Sequence, residues 1–80
     1  MKNLVITIKI YTIMKTFKEL SVVTLKSRII KAIKAGNNHT KYIIESCGAE
    51  LSYFNFCKAI AELQYEDMVI YKEGLGYYLA

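Results

Sequence analysis

The 80-residue chain has no proline and no tryptophan, one histidine, two cysteines and a single arginine. Each shortage excludes something. With no proline and no Ser-rich or low-complexity tract, nothing marks an internal linker, so one domain over residues 1–80 is expected. Two cysteines, Cys47 and Cys57, are too few for a disulfide-stapled secreted miniprotein. Ten residues apart and without partners, they match no zinc spacing either. Both are expected to be small buried apolar side chains in a reducing cytoplasm. A long hydrophobic run is also missing. Leu4–Met14 (LVITIKIYTIM) is interrupted by Lys9 and is about half of the roughly 20 residues a membrane span needs. No small-residue cleavage site follows it, so a signal peptide is not expected. Charged residues are scarce at 22%, against 54% hydrophobic, which excludes intrinsic disorder.

A chain this short buries only about 60–65% of its unfolded surface. Its core must therefore be dense, and little space is left for a deep substrate pocket. Ten lysines to one arginine, with eleven isoleucines and seven tyrosines, suggest an AT-biased coding sequence, as in many viruses and mobile elements. Charge is divided along the chain. Residues 1–41 hold nine cations and one acid, while residues 42–80 hold two cations and six acids. An asymmetry of this kind points to a polyanionic partner for the basic half.

Ile6, Ile8 and Ile10 alternate with Thr7, Lys9 and Tyr11, the period of a half-buried strand, and Met14 offers an alternative start after it. Thr24 is placed to cap a first helix over 24–36, with Leu25, Ile29, Ile30 and Ile33 at helical spacing and Gly36 as the stop. Lys26, Arg28, Lys31 and Lys34 fall between the apolar positions and make phosphate-contact candidates. Asn38 or His39 can cap a second helix over 38–47, ended by Gly48. Ser52 can cap a third over 52–64, with Phe56, Ala59, Ile60 and Leu63 on one stripe. Residues 68–80 contain two β-rich runs around Glu73-Gly74-Leu75-Gly76 and read as a hairpin.

These segments predict an α+β, mainly α fold. In order, TLKSRIIKAIKAG, HTKYIIESCG, LSYFNFCKAIAEL and QYEDMVIYKEGLGYYLA resemble the winged helix-turn-helix family over residues 24–80, with the strand in residues 1–16 as an addition. Two departures are visible. The segment from Gly48 to Ser52 is longer than the tight family turn, and Asp67 stands where many members have glycine. The resemblance implies duplex DNA as partner, the third helix in the major groove, and a role in transcription regulation. It implies that Ser52, Tyr53, Asn55 and Lys58 face DNA, that Thr40 and Lys41 hold the backbone, and that Lys72 and the wing tip approach a neighbouring phosphate. Short recognition surfaces favour dimers. With no dimerisation helix expected after the wing, strand 4–11 is the candidate for self-pairing, or else a third strand beside the wing.

The alternative is a protein-docking winged helix, because cations are sparse on the third helix and wing, and Tyr53 with Phe54 suits an aromatic contact. No enzyme, cofactor or metal is expected. No carboxylate pair or phosphate loop stands out, and His39 with Cys47 or Cys57 is better explained by packing.

Overall fold

The computed structural model describes residues 19–80, which form three helices followed by a two-stranded antiparallel hairpin. The expected strand at residues 4–11 and the alternative start at Met14 lie outside the described residues. The fold is α+β and mainly helical.

Helix α1 spans Val22–Lys34. It begins two residues before Thr24 because Ser21 takes the N-cap: its Oγ accepts the Thr24 N–H at 3.2 Å. Ser21 and Thr24 are both cap-forming types three residues apart, and the β-branched Val22 and Val23 between them conceal the earlier start. At the other end the Gly36 N–H donates to the Ile33 carbonyl and the Asn37 N–H to that of Ala32. This double closure needs a left-handed residue, and Gly36 supplies it at φ 99°. Helix α2 spans Thr40–Cys47. His39 occupies its N-cap position without a side-chain bond, so neither expected cap operates. Gly48, at φ 67°, closes α2 in the same way as Gly36 closes α1. Helix α3 spans Tyr53–Tyr65.

The three apolar stripes meet. Leu25, Ile29, Ala32 and Ile33 of α1 pack with Ile43 and Cys47 of α2 and with Phe56, Ala59, Ile60 and Leu63 of α3. Helix α1 is central, touching α2, α3 and the hairpin. Full burial of each large side chain is worth about 1.5–3 kcal/mol, so these stripes hold the helices together. Cys47 is buried as expected, whereas Cys57 is exposed, because one residue past Phe56 the helix has already turned outward.

Strands β1 (Val69–Lys72) and β2 (Gly76–Leu79) pair in the register Val69–Leu79, Ile70–Tyr78, Tyr71–Tyr77 and Lys72–Gly76. Val69 is buried in the core, and the half-buried Tyr77 packs against it. The hairpin is also held from its other side. The Tyr77 N–H donates to the Asn38 carbonyl at 2.8 Å, and Asn38 Nδ2 donates to the Tyr77 carbonyl at 2.8 Å. Asn38 thus ties β2 through one backbone and one side-chain bond, and its amide is no longer free to cap α2. Gly76 lies against this tie, which leaves no room for a side chain.

Candidate functional site

The tie between Asn38 and Tyr77 brings three chain ends to one place. Thr40 at the start of α2, Tyr53 at the start of α3 and Tyr77 of β2 line a single cleft of about 290 Å³. Its α3 wall is a stripe at spacings of four, four and three: Tyr53, Cys57, Ala61 and Gln64. This stripe runs beside the buried one and could have been found from that offset, but Cys57, Gln64 and Tyr77 were not among the expected site residues. Tyr53 stacks near Phe56, with centroids 6.5 Å apart and planes at 21°. Tyr77 meets Tyr71 edge-on at 5.0 Å. A hydrogen bond with the Cys57 side chain holds the Tyr53 phenol above its ordinary pKa, and burial does the same for Tyr77. Both therefore stay protonated donors well above neutral pH.

Other expected residues fall elsewhere. Lys58 is exposed beside Ala61, Glu62 and Tyr65, on a different and more open depression of α3. Lys41 is exposed near the Tyr42 ring at 5.9 Å, and Lys72 lies over the Tyr78 ring at 4.7 Å, a cation–π distance.

Two residues expected to face DNA are engaged within the fold. Ser52 is 3% exposed, and its Oγ accepts the Leu20 N–H at 2.8 Å instead of capping α3. A phosphate has no path to it. The Asn55 amide donates to the Leu20 carbonyl at 3.0 Å and to Glu19 Oε1 at 3.2 Å, so both its N–H groups are used. An adenine would have to displace them. Together Ser52 and Asn55 pin the residues leading into α1 onto the first turn of α3. That bond joins positions 32 residues apart, which is why no local pattern announces it.

The basic face of α1 is also partly consumed. Lys26 Nζ pairs with Glu66 Oε1 at 2.7 Å, and Arg28 Nη1 donates to the Cys47 carbonyl at 2.9 Å, completing the C-terminal end of α2. Lys31 and Lys34 remain exposed in the last turn of α1. Burial pushes the Cys47 thiol up to about 11 against an opposing pull from Arg28, so it is no nucleophile. Among the described residues no group of three metal-ligating side chains occurs, and no helix is long and apolar enough to cross a membrane. No protein-family model matches the chain, and comparison with curated proteins and with solved structures returns no match either.

Proposed function

We propose that this chain is a winged-helix DNA-binding module of the kind that regulates transcription. The observation that carries the reading is the shared cleft of Thr40, Tyr53 and Tyr77. It sets the N-terminus of α2, the first turn of α3 and the hairpin around one concave line. In a winged-helix complex these three parts meet a phosphate, the major groove and the flanking backbone respectively. Thr40 and Lys41 bind phosphate at the start of α2. Tyr53 and Lys58 supply the side chains of α3, and Lys72 on the hairpin meets the next phosphate. Ser52 and Asn55 drop out of the contact set. Fluorescence anisotropy of a duplex of about 25 base pairs, titrated from roughly 50 to 200 mM salt, tests this. Lys41→Ala with Lys58→Ala weakens binding, while Phe54→Ala leaves it unchanged. No binding at the lowest salt sinks the reading.

A second reading is favoured by one observation. On the exposed side of α3, Phe54 and Tyr65 are 78% and 91% exposed, beside the single cation Lys58. Aromatics presented in this way suit a protein partner. In that case Phe54→Ala abolishes the interaction and Lys58→Ala does not.

A further inference from the structure

Opposite the buried stripe of α3, Phe54, Lys58, Ala61 and Tyr65 fall on one outward face, and all four are exposed. At 100° per residue they lie within about 60° of one another. Their spacing of four, three and four reads the same in both directions. A second copy laid antiparallel on this face therefore meets its own pattern, as a twofold contact requires. Phe54 stands level with Tyr65 of the second copy, and Lys58 with its Ala61. Ala61, small and near the middle of the stripe, lets the two helices approach.

Charge fits the same arrangement. Glu62 follows Ala61, so Lys58 of each copy comes beside Glu62 of the other. Neither residue forms an ion pair among the described residues, where Lys26 and Glu66 make the salt bridge. The shallow depression on this face is bounded by Lys58, Ala61, Glu62 and Tyr65. These are positions i, i+3, i+4 and i+7, the four corners of a hole that accepts a knob from a facing helix. The Lys58 stem of the second copy is the knob at that level. Residues 19–80 hold seven cations and seven acids, so two copies of the fold bring no net repulsion to the contact. Four aromatic rings at about 150–250 Å² each bury roughly 600–1,000 Å². Exposed Leu51 and Met68 flank the two ends and add to this. The total reaches the low end of specific interfaces, near about 1,200 Å², which suits a reversible dimer.

We infer that two copies of this chain pair through α3, antiparallel, with Phe54 against Tyr65 and Lys58 against Glu62. The inference rests on the second reading above and names its partner as the chain itself. Lys58 also belongs to the DNA contact set, so pairing and DNA binding exclude one another at α3.

Sedimentation velocity of the full-length chain from roughly 5 to 500 μM tests this, with circular dichroism to check that each variant is folded. The wild type is expected to pass from monomer to dimer over that range. Phe54→Ala and Tyr65→Ala each weaken the dimer by about tenfold or more. Lys58→Glu and Glu62→Lys are each monomeric alone, because like charges then face each other across the contact, and an equimolar mixture of the two dimerises. That rescue arises only between chains, so a merely structural role for either residue cannot produce it. A wild type that stays monomeric at the highest concentration overturns self-pairing and leaves the second reading to a different protein. A dimer indifferent to both alanine variants and to both charge reversals overturns the α3 contact and removes the claim of these aromatics to it. Should an alanine variant fail to fold, the mixing of the charge-reversed chains decides the question.

Discussion

Replacing Gly76 by alanine strikes the point where the hairpin is fastened to the helices. Gly76 sits at φ 109°, a region that L residues rarely adopt, and a Cβ there would lie 2.7 Å from the Asn38 carbonyl carbon and closer still to its oxygen. Both obstacles are backbone, so neither can rotate away. The left-handed backbone alone costs about 1–2 kcal/mol. Relief of the clash requires β2 to move off Asn38, which sacrifices the two bonds between Asn38 and Tyr77 at about 1 kcal/mol each. Alanine returns about 0.4–1 kcal/mol by restricting the unfolded chain. The net expectation is a loss of about 2–4 kcal/mol, a large share of the stability of a small domain. Gly74 provides the control. It too has a positive φ, of 78°, but a Cβ there meets nothing within 4 Å. Gly74→Ala should therefore cost only the backbone strain, about 1 kcal/mol after the same offset. Urea denaturation followed by far-UV circular dichroism reads the difference, since a slope of about 1 kcal/mol per molar turns 2 kcal/mol into a midpoint shift of about 2 M. Equal midpoints for the two variants would refute the steric argument.

Asp67 holds a left-handed φ of 58° in the turn between α3 and β1, so Asp67→Gly should stabilise the fold by about 0.5–1 kcal/mol, measured as a rise in Tm. Ser52→Ala removes the acceptor of the Leu20 N–H and should cost about 1–3 kcal/mol, with the urea midpoint falling although no apolar contact is lost. A thiol reagent should titrate one cysteine, Cys57, in the native chain and a second, Cys47, only on unfolding. The Cys47 pKa is raised from 9.0 to about 11 on folding, so the unfolded state loses its proton first as pH climbs. Stability from this group is complete below pH 9 and falls between about 9 and 11, and Cys47→Ser should flatten that part of the pH profile.

The helices and the hairpin were legible because each is governed by local spacing. Ile29 and Ile33, or Phe56, Ile60 and Leu63, lie on one face whatever surrounds them, and Gly36 and Gly48 are the stops that a left-handed closure demands. The site was legible only in part. A serine at a helix start and an asparagine on its polar side look alike whether they face a ligand or bind another part of the chain. Ser52 and Asn55 turned out to hold Leu20 and Glu19, more than 30 residues away. Asn38 was read as a cap for the same reason, although its partner is Tyr77. Cys57 was misplaced by its apolar composition, since one residue is 100° of helix and separates the core stripe from the cleft. Lys26 and Arg28 could be seen as cations, but their partners Glu66 and Cys47 emerge only from the packing of the helices.

The anchoring of Glu19 and Leu20 on α3 also fixes a point of attachment. Residue 18 is joined to a chain that Asn55 and Ser52 clamp to the first turn of α3. The clamp couples two elements that are far apart in sequence, so a shift of the first turn of α3 is transmitted directly to Leu20 and the entry to α1. The start of the fold and the wall of the cleft are thereby one mechanical unit.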